Sequence, residues 1–233
     1  MNMISACDLT KYVKIPLGVY KVYKLPALTI HDEECLKYYL TIEENKNLKL
    51  KGINEQTRRN FIFARIICKK MISENSDVDF SAISVIPGNN GQPTIKIHDE
   101  IRKDMQVSIS HSEGVLFVEL GINKHIGIDC QRIYDFACII KANLIFTKRE
   151  KEFVLSRAKT NEQCNRLFTL LWCLKEAFVK LRQTGFKSLP KNVEIIQISF
   201  AKKTVCIAEN NEKLNLKFNF SCWNQYFFVS ITY

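Results

Sequence analysis

The order of apolar and polar positions divides the chain into stretches of period two and stretches of period near 3.6. Residues 12 to 29 look extended, with Val19, Val22 and Leu25 among Tyr and Lys, and Pro16 and Pro26 as punctuation. From Asp32 to about Leu50 the residues Cys35, Leu36, Tyr39, Leu40 and Ile42 cluster along one helical face, which Thr29 or Asp32 can cap. Asn54 to Ser73 reads as another helix, mixing Phe61, Ile62 and Ile66 with Arg65, Lys69 and Lys70. Gly88-Asn89-Asn90-Gly91-Gln92-Pro93 is a loop, because paired Gly and Asn tolerate turn conformations and Pro stops a strand. Val107 to Ser112 is a strand that turns at Glu113-Gly114 into the apolar run Val115 to Leu120.

A short connection from Gly121 to His125 separates the two halves of the chain. Beyond it, alternation in Ile126-Gly127-Ile128-Asp129-Cys130-Gln131 predicts a strand with Ile126 and Ile128 on one face and Asp129 and Gln131 on the other. Thr147 caps a predicted helix with Glu150 three residues on, a capping box that taken alone is architectural. In the segment from Leu167 to Lys180, Leu167, Leu171, Leu174, Phe178 and Leu181 form one helical stripe, and Trp172, Glu176 and Lys180 lie four apart on the opposite side. A strand carboxylate and a helix carboxylate can thus meet across a cleft, with a lysine one turn further along. The rest reads as strands, Val193 to Phe200, Thr204 to Ala208, Leu214 to Phe220 and Tyr226 to Thr232, with a turn at Asn210-Asn211.

Composition narrows the class. With 233 residues, 15 Phe, 8 Gly and 5 Pro, this is a compact folded protein large enough for one domain or two small packed ones. The absence of a long apolar run and of a basic-then-apolar start predicts a cytoplasmic protein with no membrane association. The 9 cysteines are scattered, without a C-x-x-C pair, and read as reduced thiols. A net charge of +10 predicts attraction to an anionic partner without naming it.

Two constellations carry chemistry. Asp129 and Glu176 offer hard oxygen ligands of the kind that hold magnesium, which keeps several waters and is bound by one or two carboxylates plus substrate phosphates. Ser110-His111-Ser112 places hydroxyls and an imidazole at a strand end, all able to donate to phosphate. A Ser-His hydrolase is set aside, since neighbours on a strand point to opposite faces and no G-x-S-x-G elbow exists.

Gly127-Ile128-Asp129-Cys130-Gln131 and Trp172-Cys173-Leu174-Lys175-Glu176-Ala177-Phe178-Val179-Lys180 together resemble the 4'-phosphopantetheinyl transferases, whose signatures are G-(I/V)-D and W-x-x-K-E-A/S-x-x-K. Ser110-His111-Ser112 is similar to the family's S-H-S motif, and Phe146-Thr147-Lys148-Arg149-Glu150 to its F-(T/S)-x-x-E segment. The length resembles the long, surfactin-synthetase-activating type. That resemblance implies an α+β fold in which two similar αβ halves, 1–122 and 123–233, pack as a pseudodimer with the site between them, acting as a monomer. No residue-level repeat is evident between the halves, so their similarity rests on the resemblance.

The resemblance further implies transfer of 4'-phosphopantetheine from coenzyme A to a serine of an apo acyl or peptidyl carrier protein, with Mg2+ or, as an alternative, Mn2+ as cofactor. Asp129, Gln131 and Glu176 are then the metal ligands, Glu176 the general base and Lys180 a phosphate contact. Coenzyme A contacts fall on Arg59, with Arg58 as competitor, and on Arg65, Gln92, Ser110, His111, Asp129 and Lys180. Phe146 to Phe153 becomes a carrier-contact surface. Three departures stand out: Gln131 replaces a third carboxylate, Gln92 replaces the lysine of a G-K-P loop, and Gln183 replaces the first glycine of the turn that continues through Gly185-Phe186 and Leu189-Pro190. The first two motivate an alternative, a catalytically degenerate coenzyme A or carrier-binding protein. A nucleic-acid-binding protein is a third reading, without a recognition motif to support it.

Overall fold

The computed structural model describes residues 13–17, 20–27, 29–50, 54–88, 90–135, 143–183 and 190–233. Strands and helices intermix in an α+β arrangement whose described strand pairs are all antiparallel. The chain forms two compact units, Met1–Lys124 and His125–Tyr233.

In the first unit, β1 (Val13–Leu17), β2 (Tyr20–Lys24), β6 (Met105–Ser112) and β7 (Val115–Ile122) form a sheet in the order β1-β2-β7-β6. β3 (Ile83–Pro87), β4 (Pro93–Ile97) and β5 (Glu100–Ile101) form a second sheet. The β6–β7 hairpin turns through Glu113 and Gly114 at φ 44° and 82°, the left-handed pair that matches the twist of a two-residue hairpin. Helix α3 (Glu55–Ser76), capped by the Asn54 side chain, buries Ile62, Ile66 and Ile72 in a core shared with Ile83, Val85, Leu116 and Val118.

The helix expected from Asp32 to Leu50 is two helices, α1 (Ile30–Lys37) and α2 (Ile42–Leu50). Thr29 caps α1 in a capping box with Asp32. Thr41 and Glu44 bond each other's backbone N–H groups in a second box, which restarts the helix on a new axis. Ile42, expected on the apolar face, is 80% exposed as a result.

In the second unit, β8 (Ile126–Arg132), β9 (Val193–Ser199), β10 (Thr204–Glu209), β11 (Glu212–Trp223) and β12 (Tyr226–Thr232) form one sheet in the order β8-β12-β11-β10-β9. Asn210 and Asn211, at φ 48° and 68°, make the β10–β11 turn. Helices α4 (Lys148–Leu155) and α5 (Asn161–Arg182) pack on the sheet, and Leu171, Leu174, Phe178 and Leu181 enter a core with Phe218, Val229 and Ile231. α5 ends at Gln183, which takes the left-handed φ of 55° that glycine adopts without cost. Gly185, Phe186 and Leu189 lie outside the described residues.

Each unit contains the same buried knot. In the second, Thr147 and Glu150 box the start of α4, Glu150 Oε1 accepts from the Ile195 N–H at 2.8 Å, and Lys175 of α5 meets Glu150 Oε2 at 2.8 Å while donating to the Ile145 carbonyl at 2.9 Å. In the first, Glu44 Oε1 accepts from the Val85 N–H at 2.8 Å, and Lys69 of α3 meets Glu44 Oε2 at 3.4 Å while donating to the Tyr39 carbonyl at 2.8 Å. Thr41 and Thr147, Glu44 and Glu150, and Lys69 and Lys175 stand at one constant sequence offset, as do the 22-residue helices α3 and α5.

Candidate active site

Gly127 fixes where α5 meets β8. A Cβ placed on Gly127 would fall 1.9 Å from the Ala177 carbonyl oxygen and 2.5 Å from the Leu181 nitrogen, so helix backbone lies directly on strand backbone. Alternation along β8 puts Gly127, Asp129 and Gln131 on that helix-facing side, and Ile126, Ile128 and Cys130, all fully buried, on the other. The polar residues of the strand thus face the helix.

Asp129 is 4% exposed, and its Oδ1 accepts from the Lys180 ammonium at 2.8 Å. Lys180 comes from the polar side of α5 and keeps 28% of its side chain exposed. Burial works against its charge, but the Asp129 carboxylate and the hydrogen bond it accepts, helped by Glu176, outweigh that and raise its pKa. Half-buried Glu176 is pushed up to about 7, first by burial and then by repulsion from Asp129, with Lys180 pulling the other way. A carboxyl group poised there exchanges protons near neutral pH. Gln131, half-buried, follows Asp129 on the same strand face.

The Asp129 and Glu176 carboxylates and the Gln131 amide carbonyl suit a hard divalent cation, and the repulsion that raises Glu176 is what such a cation would relieve. Among the described residues no three His, Cys, Asp or Glu side chains converge on one point.

In the first unit, Arg59 donates to the Pro26 carbonyl at 3.1 Å and to Gln56, and its buried Nε has no hydrogen-bond partner among the described residues. Its Nη2 comes within 3.7 Å of a Cβ placed on Gly114, in the turn that follows Ser110-His111-Ser112. Arg58 instead binds Glu33 at 3.1 Å. Ser110 and Ser112 are buried and His111 between them is exposed. Arg65 stands elsewhere: it is buried, donates to the Val85 carbonyl at 3.1 Å and lies over the Phe61 ring. Gln92 folds into its own loop, where its Oε1 accepts from the Asn90 N–H at 2.9 Å.

Of the stretch from Phe146 to Phe153, Phe146 and Glu150 are buried, because Phe146 packs on Phe168 and Glu150 belongs to the knot. Lys148, Arg149 and Glu152 are its exposed members. The Lys175–Glu150 pair was not foreseen from the sequence, and Cys173, a thiol beside the site, is fully buried. The two threonine-led boxes were the available signal for the first.

Residues 125–228 match the family model of the 4'-phosphopantetheinyl transferase superfamily. The matched segment falls within the second unit and contains Asp129, Gln131, Glu176 and Lys180. The match points to phosphopantetheine transfer as the class of chemistry, one that draws on coenzyme A and typically on a divalent metal. A comparison with curated proteins found no match. No described helix is long and apolar enough to cross a membrane.

Proposed function

We propose that this protein transfers the 4'-phosphopantetheine group of coenzyme A to a serine of an apo acyl or peptidyl carrier protein, giving holo carrier and 3',5'-ADP. The observation that carries the reading is the joining of Asp129, Lys180 and a Glu176 raised to about 7 at one helix–strand contact, inside the segment that matches the superfamily. The matching knots of the two units support the long type, a monomer built as a pseudodimer of two similar halves near 1–122 and 123–233.

Glu176 accepts the proton of the carrier serine, directly or through a water. The serine oxygen forms a bond to the phosphorus on the pantetheine side as the bond from that phosphorus to the 3',5'-ADP oxygen breaks, and Glu176 returns its proton to solvent. Lys180 steadies charge on the phosphates, its ammonium held in place by Asp129. A magnesium ion held by Asp129, Glu176 and Gln131 supplies charge neutralisation at the pyrophosphate when bound. Arg59, Ser110 and His111 take coenzyme A phosphates. Arg65, buried on the Val85 carbonyl, and Gln92, whose Oε1 accepts from Asn90, are left out of this reading. Retention of both carboxylates and the lysine favours an active enzyme over a degenerate binding protein.

The test is release of 3',5'-ADP that requires apo carrier, coenzyme A and magnesium together. Glu176→Gln should abolish it. Full turnover by that variant at saturating magnesium would remove Glu176 as the base.

A further inference from the structure

Phe200 and Phe220 are each 41% exposed, and their ring centroids lie 5.7 Å apart. Buried Phe218 backs both, at 6.2 Å from Phe200 and 6.0 Å from Phe220, so the pair is a packed apolar patch rather than two loose rings. Strand register ties the patch to the site. Phe220 pairs with Val229 and Val229 with Asp129, so Phe220 lies two strand spacings, roughly 10 Å, from Asp129 on the same helix-facing side of the sheet. In the next row Cys222 pairs with Phe227 and Phe227 with Gln131. Arg166 of α5 lies over that row: it donates to Cys222 Sγ at 3.3 Å and stands 5.4 Å from the centre of the Phe227 ring. It precedes Lys180 by fourteen residues, close to four turns, and so comes from the helix edge that carries Lys180.

We propose that Phe200, Phe220 and Arg166 form the surface on which the carrier protein docks, with an apolar side chain of the carrier seated on the two rings and a carrier carboxylate on the Arg166 guanidinium. This deepens the proposed function and rests on its assignment of a carrier protein as the acceptor. Half-buried Arg166 bonds no carboxylate among the described residues, and a thiol and a ring are weak partners for a guanidinium. Its remaining donors call for an acidic group. Lys202 and Lys203, exposed in the turn that carries Phe200, add the same sign at the rim, and the second unit holds 17 of the 34 Lys and Arg against 9 of the 24 Asp and Glu. The patch thus joins an apolar centre to a cationic rim, the make-up of a surface that binds an acidic protein. Its nearness to Asp129 selects which one: a protein seated there stands beside the carboxylates that the acceptor serine has to reach.

The test uses two apo carriers, one acyl and one peptidyl, with carrier and coenzyme A each titrated. Phe200→Ala and Phe220→Ala should each raise KM for the carrier about tenfold, with KM for coenzyme A and the melting temperature unchanged. Arg166→Ala should act in the same way, and Arg166→Lys, which keeps the charge, should recover part of the loss. An unmoved KM for the carrier, or a KM for coenzyme A that rises in step with it, overturns the proposal. Binding of the same carriers to Glu176→Ala without coenzyme A, read by fluorescence anisotropy, does not need the reaction. About tenfold weaker binding when Phe220→Ala is added supports the surface even where no transfer is seen, and equal binding, or none, overturns it. Transfer by wild type with an unchanged carrier KM in the variants removes the docking surface and leaves the proposed function standing. A wild-type dimer that Phe220→Ala splits, or anionic lipid vesicles that wild type binds and Phe220→Ala does not, would assign the patch to a second copy or to a lipid surface and likewise overturn the proposal.

Discussion

The Lys175 ammonium meets the Glu150 carboxylate at 2.8 Å with the two side chains 0% and 1% exposed. The pair ties α5, at the residue just before Glu176, to the segments around Ile145 and Ile195. Burial lowers the Lys175 pKa and Glu150 opposes that, so neither partner is tolerable without the other. Lys175→Met should cost about 3–5 kcal/mol of stability, read as a drop in the urea midpoint. Lys69→Met should fall in the same range, since Lys69 and Glu44 are 2% and 0% exposed. A loss below about 1 kcal/mol in either would show that the pair behaves like a surface salt bridge.

Gly127 admits no side chain. Its missing Cβ would fall on the Ala177 carbonyl, a backbone atom that moves only if α5 moves. Gly127→Ala should destabilise by at least about 2 kcal/mol through overpacking and should shift α5 away from Asp129, lowering turnover with it. An unchanged melting temperature would contradict the close approach.

The elevated Glu176 makes stability depend on pH with a definite sign. The folded group titrates near 7 and the unfolded one near 4.5, so the unfolded state loses its proton first. Stability is therefore fully present below about pH 4.5, falls as pH rises towards 7 and is flat above, with a total loss of at most about 3 kcal/mol, reduced by the partial exposure of Glu176. Glu176→Gln should remove that slope, and magnesium should recover stability at pH 8 by relieving the repulsion from Asp129. Urea midpoints from pH 4.5 to 8 check both, and identical slopes for wild type and variant would contradict the raised value.

Gln131 is a neutral amide next in line after Asp129 on the face of β8 that α5 covers. Gln131→Glu should tighten metal binding about tenfold, the effect of about 1.4 kcal/mol from one added carboxylate, and lower the magnesium concentration needed for half-maximal turnover. A titration of activity against magnesium for the two proteins decides it. No change would mean that residue 131 does not reach the metal.

The strands outside the β3–β4–β5 sheet, the long helices and the strand and helix faces that carry Asp129, Glu176 and Lys180 were legible in the sequence, because each follows from local periodicity. The boundary between α1 and α2 was not. The apolar pattern runs on through Tyr39 and Leu40, and the break depends on a Thr41–Glu44 box whose glutamate is then buried against Val85, a partner far along the chain. The twin knots escaped for the same reason: a T-x-x-E box looks like any helix start until the lysine that meets it is known. Arg65 and Gln92 were read by type and position; a tertiary contact turns Arg65 to the Val85 carbonyl, and a turn within its own loop bonds Gln92 to Asn90.

The most direct test of the account is the intact mass of an apo carrier protein incubated with this protein, coenzyme A and magnesium, beside a Glu176→Ala control. The account predicts a gain of one phosphopantetheine on the carrier serine, lost in the control. No gain on fatty-acid, polyketide or peptide carriers, or a gain that survives Glu176→Ala, would contradict it.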